Sequence, residues 1–163
     1  MRNKIIIVMI ATVLLGSFLF IYSQDNQTAS GTLQVSTPPS VDSIELFDDD
    51  NGGTTTPTST LTPQDEMTLR INLSDPDGLD TLAELRIVLY HSSTTLDASD
   101  DPALHVTIIW NSSTGWSLSP SSTWSLDTAN SSVPTSGTSG SAIVVFTPGK
   151  VTRYSTSGEW SIY

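Results

Sequence analysis

The sequence predicts an all-β domain of antiparallel strands that follows an N-terminal hydrophobic helix. Two observations carry this prediction: short stretches in which apolar and polar residues strictly alternate, and clusters of turn residues that separate them. The composition agrees, because the 163-residue chain is rich in serine and threonine and poor in helix formers. No helical period competes outside the N-terminal segment, so we expect about seven short strands in one domain.

The N-terminal segment has the organisation of an export signal. Arg2 and Lys4 precede an unbroken apolar run from Ile5 to Tyr22, which is typical of a secretory signal peptide or an N-terminal membrane anchor. The run is longer than the roughly 7 to 15 residues of a usual signal and just short of the roughly 20 that span a bilayer. We therefore predict that residues 1–23 are a signal peptide or an anchor, with residues 5–22 in the membrane if they are not cleaved. Either outcome places the remaining chain at the cell surface or outside the cell.

Two segments follow the apolar run. Residues 24–40 are polar and end in Pro38 and Pro39, so they predict a spacer. Residues 41–163 carry the strand pattern and form the predicted β domain, whose first strand we expect at Val41–Phe47.

The clearest strands flank an acidic turn. Apolar residues occupy every second position before the turn and again after it, at Met67, Leu69, Ile71 and Leu73 and then at Leu85, Ile87 and Leu89. Asp75-Pro76-Asp77-Gly78 ends the first strand, because proline cannot donate to a sheet and glycine accepts a positive φ. Eight residues separate the two strands, so we expect them to lie in opposite sheets.

The later strands are shorter. Alternation or apolar runs predict strands at Ala103–Trp110, Ala142–Phe146 and Glu159–Tyr163, and one or two more around Trp116 and Trp124. In this reading, residues 127–141 are a loop, and His105 faces solvent from its strand.

The acidic turn and the strand after it resemble a known family. Asn72-Leu-Ser-Asp-Pro-Asp-Gly-Leu79, followed by Leu85–Tyr90, is similar to bacterial and archaeal cell-surface immunoglobulin-like repeats, which include cadherin-like and polycystic-kidney-disease-like members. The resemblance implies an immunoglobulin-like antiparallel β-sandwich of about seven strands, in which the acidic turn joins the two sheets. It also implies a closing strand after Gly158–Tyr163, so the domain is expected to be incomplete at its C-terminus.

Calcium is the metal that the acidic loops favour. Ca²⁺ takes about 6 to 8 oxygen ligands, and the candidate ligands are Asp75, Asp77, Asp80, Asp48 and Asp50. The competing interpretation, which the turn sequence favours, is that these aspartates bond their own backbone as turn formers.

Two further sets of residues are candidate sites in an exported chain. Glycosylation sequons without proline occur at Asn26, Asn72, Asn111 and Asn130. Trp116 and Trp124, if exposed side by side, would stack on sugar rings. Burial of the tryptophans in the core is the favoured alternative.

Several functional classes have little support. With 17 acidic and 6 basic residues, the chain lacks the clustered cations that nucleic acids require. It has no cysteine, so thiol catalysis, thiolate metal sites and disulfides are excluded. Neither His91 nor His105 belongs to a metal-spaced pair, and no nucleophile elbow or phosphate loop occurs.

The sequence therefore favours a non-enzymatic extracellular structural or adhesion module, with other surface proteins or glycans as partners and with possible Ca²⁺. One alternative is a carbohydrate-binding module that uses Trp116 and Trp124. The other is a self-assembling filament subunit, in which the edge beside Glu159–Tyr163 is completed by a strand such as Thr32–Ser36 of a neighbour.

Overall fold

The computed structural model describes residues 37–48, 56–153 and 159–163. Within them the chain has nine β-strands, one 3₁₀ turn at Leu79–Thr81 and no α-helix. The strands are β1 (Ser40–Phe47), β2 (Pro57–Thr58), β3 (Met67–Ser74), β4 (Glu84–His91), β5 (His105–Asn111), β6 (Gly115–Ser119), β7 (Ser125–Ser132), β8 (Ser139–Thr147) and β9 (Trp160–Ile162).

The predicted signal or anchor at residues 1–23 and most of the predicted spacer lie outside the described residues. In the described part of the chain, no helix has the length and apolar character needed to cross a membrane.

The strands form two antiparallel sheets. The five-stranded sheet has the order β2-β1-β3-β8-β7, and the four-stranded sheet has the order β6-β5-β4-β9. β3 and β4 follow each other in sequence but belong to different sheets, which confirms that the acidic turn is an arch between layers. The all-β prediction is also confirmed, and the two-residue strand β2 lies in a segment for which no strand was predicted.

The alternation in the sequence sets the buried faces. Every second residue of β3 and β4 points to the space between the sheets, and all seven predicted core residues of these strands are less than 9 % exposed. β5 is the neighbour of β4 in one sheet, and β8 is the neighbour of β3 in the other. These two strands contribute to the same hydrophobic cluster, through Val106, Ile108, Ala142, Val144 and Phe146. One shared core therefore holds the two sheets together.

The segment 127–141, predicted as a loop, is mostly strand. β7 extends to Ser132 and β8 begins at Ser139. The pairing of β7 with β8 is irregular between Asp127 and Ser132, and Asp127 accepts hydrogen bonds from the backbone N–H groups of Ala129 and Asn130. Because β7 is an edge strand with this bulge, its sequence lacks the alternation that marks a strand.

Candidate functional site

Backbone hydrogen bonds hold the acidic arch between β3 and β4. Asp75 is only 2 % exposed, and its Oδ1 accepts a hydrogen bond from the N–H of Asp77 at 2.9 Å. The N–H of Asp75 donates to the carbonyl oxygen of Thr138 at 2.9 Å, and a carboxylate oxygen of Asp77 accepts from the N–H of Thr37. Both carboxylates thus serve backbone donors, which is how aspartates stabilise turns.

The structure separates Asp48 from Asp75 among the candidate calcium ligands. β1 runs antiparallel to β3, with Phe47 opposite Thr68, so Asp48 lies beside the start of β3. Asp75 follows the other end of β3, roughly 27 Å away at about 3.4 Å per residue over eight residues. Asp50 lies outside the described residues. The combination of Asp48 with Asp75 in one site was therefore wrong, because antiparallel pairing separates the two loops.

A smaller calcium site made by Asp75, Asp77 and Asp80 stays a prediction. Among the residues that the structure describes, no group of three or more histidine, aspartate or glutamate side chains lies close enough to hold a metal ion.

Trp124 is part of the core. Its side chain is 3 % exposed and stacks on Phe146 with the ring centroids 5.9 Å apart. Its indole N–H donates to the carbonyl oxygen of Pro102 at 2.8 Å. Trp116 pairs with Trp110 across β5 and β6 and packs, half-buried, against the core. The favoured interpretation, burial in the core, is confirmed for Trp124. The alternative, a sugar-binding pair of Trp116 and Trp124, is not formed because Trp124 has no open ring face.

Two of the candidate glycosylation sites have engaged side-chain nitrogens. Nδ2 of Asn72 donates to Oγ of Ser43 at 2.7 Å, and Nδ2 of Asn130 donates to Asp127 at 2.7 Å. A glycan on either nitrogen would replace one of these hydrogen bonds. Asn26 lies outside the described residues.

Asn111 differs from these two sites. It ends β5 at the turn into β6, and its Oδ1 accepts hydrogen bonds from the N–H and the hydroxyl of Ser113 at 3.0 and 2.6 Å. Within the described residues, its Nδ2 has no hydrogen-bond partner. Asn111 is therefore the described sequon whose acceptor nitrogen is best presented for modification.

A histidine and an aspartate meet on the outer face of the four-stranded sheet. Nδ1 of His105 lies 2.8 Å from Oδ1 of Asp100, and Nε2 lies 3.0 Å from the carbonyl oxygen of Leu96. The hydroxyl of Thr107 donates to the same Asp100 oxygen at 2.9 Å. His105 is 3 % exposed, so its predicted exposure was wrong: it does lie on the outer face, but residues 92–104 cover that face.

The surroundings of Asp100 favour its ionised form. Burial raises the pKa of its carboxyl group, but hydrogen bonds from Ser119, Thr107 and His105, together with the charge of His105, lower it. The net result is a pKa below the ordinary value of 3.8. This ionised carboxylate fastens the segment 92–104 to β5 and β6.

This cluster lacks the arrangement of an acid–base catalyst. Nε2 of His105 faces a backbone carbonyl group, and the Thr107 hydroxyl donates to the carboxylate. No hydroxyl in this cluster is therefore placed for activation by the ring. Asp100, His105 and Thr107 line a cavity of about 520 Å³ together with Arg86, Asp97 and Tyr163.

His91 also has a structural role. It is 5 % exposed, and its Nδ1 accepts a hydrogen bond from the N–H of Ser93 at 3.1 Å. Its ring meets that of Trp160 edge to face, with the centroids 5.7 Å apart and an angle of 76° between the planes. Its buried Nε2 has no hydrogen-bond partner among the described residues.

An apolar groove opens between β1 and β9. β6 and β7 lie beside each other at one side of the domain, whereas the opposite side retains a cavity of about 370 Å³. Its lining is mostly apolar and comes from both sheets: Ile44, Leu46, Thr58, Ser59, Leu61, Leu89, Trp160 and Ile162. We call this feature the β1–β9 groove.

The groove reaches the core. Leu61 and Leu89, at 2 % and 1 % exposure, are core residues that also line it. Ile44 on its β1 side is 38 % exposed. Sequence reasoning predicted an open edge at β9 but not the cavity, because which strands face each other across the layers depends on the strand order of both sheets.

Comparisons of the chain with protein-family models, with curated proteins and with solved structures found no match.

Proposed function

We propose that this chain is a non-enzymatic structural or adhesion module of an exported cell-surface protein, built as an immunoglobulin-like β-sandwich. One observation carries the proposal: the side chains best suited to catalysis or metal binding form hydrogen bonds that hold loops in place. Asp75 bonds the arch, Asp100 and His105 bond the segment 92–104, and His91 bonds the turn after β4.

Features of the sequence support a location outside the cell. The basic residues before the apolar run of residues 5–22, the absence of cysteine and the excess of acidic residues all suit a prokaryotic surface protein. An available sequon at Asn111 is consistent with this location.

A protease-accessibility experiment tests the proposal. The full chain would carry an epitope tag after Tyr163 and be expressed in a prokaryotic host. On intact cells we expect added protease to remove the tag while a cytosolic marker protein survives. A variant that lacks residues 1–23 is the control and should remain protected. A tag that survives on intact cells carrying the full chain would overturn the proposed location.

One alternative function has structural support and one does not. Self-assembly is favoured by the β1–β9 groove, which joins a free strand edge to an apolar cavity. Carbohydrate binding by Trp116 and Trp124 has no structural support, because Trp124 is buried.

A further inference from the structure

We propose that residues 32–36 of a second copy of this chain fill the β1–β9 groove, as a strand added along the free edge of β9. This inference rests on the proposed structural function. It adds that the binding partner is another copy of the same chain.

The edge of β9 provides unpaired backbone groups. Tyr163, next to β9, exchanges hydrogen bonds with Val88 of β4 at 2.9 and 2.7 Å. Alternate residues of an antiparallel strand bond to opposite sides, so the N–H and carbonyl groups of Trp160 and Ile162 point away from β4. No other described strand pairs with that side of β9. Such an edge is a template for an incoming strand.

The facing side of β1 provides uncovered apolar surface. Ile44 is paired with Ile71 of β3 and lies on the same face of the sheet, yet it is 38 % exposed. Val41, opposite Leu73, is 55 % exposed. Among the described strands, β9 is the edge of the facing sheet on this side, so none of them covers this part of β1. A strand added to β9 would lie across from Ile44 of β1 and remove that side chain from water.

The segment Thr32-Leu33-Gln34-Val35-Ser36 has the pattern that this position requires. Leu33 and Val35 occupy alternate positions, so an extended strand turns both toward the groove and its polar residues outward. No charged residue occurs from Asn26 to Val41. In a chain with a net charge of −11, an uncharged segment approaches another copy with the least repulsion.

The entry of the chain into β1 favours a second copy over the same copy. The N–H of Thr37 donates to Asp77, which places Thr37 at the arch end of β1, away from Leu46 and the groove. Thr37 and Pro38 each precede a proline, and residues before proline favour extended backbone. Because Thr37 and Pro38 favour extended backbone, the chain would have to reverse its direction before Thr37 to reach the groove of its own copy. A neighbouring copy can accept them without that reversal.

This arrangement is directional, because the donated segment and the groove are different surfaces. Contacts of this kind join copies head to tail and produce open chains unless the rotation between copies closes a ring. We therefore expect a series of oligomers rather than a single dimer.

Disulfide cross-linking tests the proposal directly, since the chain has no cysteine of its own. The full chain with Val35→Cys and Ile44→Cys would be purified in detergent and oxidised. We expect a ladder of dimers, trimers and larger species on non-reducing gels, which collapses to monomer on reduction. The matched control is a double variant with Val35→Cys and Ser117→Cys. Ser117 is exposed on β6, at the edge of the four-stranded sheet opposite β9, so this variant should give no ladder. An internal disulfide in a monomer would show that the same chain fills the groove and would overturn the proposal, as would the absence of any disulfide.

A pair of double variants provides an independent readout. We expect Leu33→Asp with Val35→Asp to reduce self-association in sedimentation experiments at least tenfold. Thr32→Asp with Gln34→Asp adds the same charge on the outward side and should have a smaller effect. Circular dichroism of the β-sheets should be unchanged in both, because these residues lie outside the unit Ser36–Tyr163 that contains the described strands. Equal behaviour of the two variants would contradict strand addition. Both tests use purified protein, so their failure would leave the proposed surface location unaffected.

Discussion

His105 and Asp100 form the contact that holds residues 92–104 against the outer face of the four-stranded sheet. The 2.8 Å separation of Nδ1 and Oδ1 joins a residue of β5 to a residue of the preceding loop. A long acidic loop would otherwise project into solvent, so this contact converts it into a cover over one face of the domain.

Removal of the carboxylate should destabilise the domain. Asp100→Ala leaves the buried His105 and the Thr107 hydroxyl without their acceptor, and a lost hydrogen bond to a charged group costs about 1.5 to 3 kcal/mol. Urea denaturation should show a decrease of that size in the free energy of unfolding. Asp97→Ala, in the same loop but exposed, is the control and should stay within about 0.5 kcal/mol of the parent. Equal effects of the two substitutions would refute the role of Asp100.

The low pKa of Asp100 predicts a loss of stability in acid. A carboxyl group with a folded pKa below its unfolded value contributes stability above the unfolded value, about 3.9, and loses it as the pH falls through the folded pKa. We expect the free energy of unfolding of Asp100→Asn to decrease less than that of the parent below about pH 4. The pKa of Asp127 is also lowered, by hydrogen bonds from Asn130 and Ala129, so its protonation destabilises the fold in the same pH range. Asp100→Asn should therefore reduce the loss of stability in acid without abolishing it. Urea titrations between pH 3 and 6 would measure the difference, and parallel curves would argue against it.

Trp124 should be the most sensitive of the candidate sugar-binding residues to truncation. Trp124→Ala removes a buried ring and its hydrogen bond to Pro102, and we expect a loss of about 3 to 5 kcal/mol. Trp116→Ala removes a half-buried ring and should cost less. Thermal unfolding followed by near-ultraviolet circular dichroism would rank the two variants, and a larger loss for Trp116 would contradict the observed burial.

The arch requires glycine at one position. Gly78 has φ +108°, which other residues rarely adopt, and an added Cβ would lie 2.5 Å from Oδ1 of Asp80. We expect Gly78→Ala to cost about 1 to 3 kcal/mol. Gly115→Asn is a matched control, because its φ of +77° suits asparagine better and a Cβ there would have no neighbour within 4 Å. In thermal unfolding, Gly78→Ala should have a clearly lower melting temperature than Gly115→Asn.

Glycan occupancy should follow the availability of the side-chain nitrogen. In a host that glycosylates exported proteins, we expect Asn111 to be modified more fully than Asn72 or Asn130, whose Nδ2 atoms are engaged. Mass spectrometry of glycopeptides would measure the occupancy of each site, and Asn111→Gln should remove most of the added mass. Full occupancy of Asn72 with an unmodified Asn111 would contradict the ranking.

Most of the fold could be predicted from the sequence because every second residue of a strand faces the core, and this leaves an alternating pattern of apolar residues. The alternation around Leu69 and Ile87 identified both central strands and their inward faces, and the length of the turn between them predicted the change of sheet. The part of β7 from Asp127 onward was not predicted, because its bulge and its position at an edge remove the requirement for alternating apolar residues.

The candidate sites were less predictable because they depend on contacts distant in sequence. The exposure of His105 was misjudged because its cover comes from the loop carrying Asp100. The calcium set combined Asp48 with Asp75, which strand pairing places at opposite ends of β3. Burial of Trp124 depends on Pro102 and Phe146, and no local pattern indicates either contact.

The position of β3 between β1 and β8 also affects how the chain folds. Asn72 of β3 and Ser141 of β8 touch across the sheet although 69 residues separate them, so the central pairing of the larger sheet must wait until nearly the whole domain has been synthesised. Proteins dominated by such distant pairings fold slowly. The larger sheet therefore closes late during synthesis, whereas β4, β5 and β6 can pair as soon as residue 119 has been made.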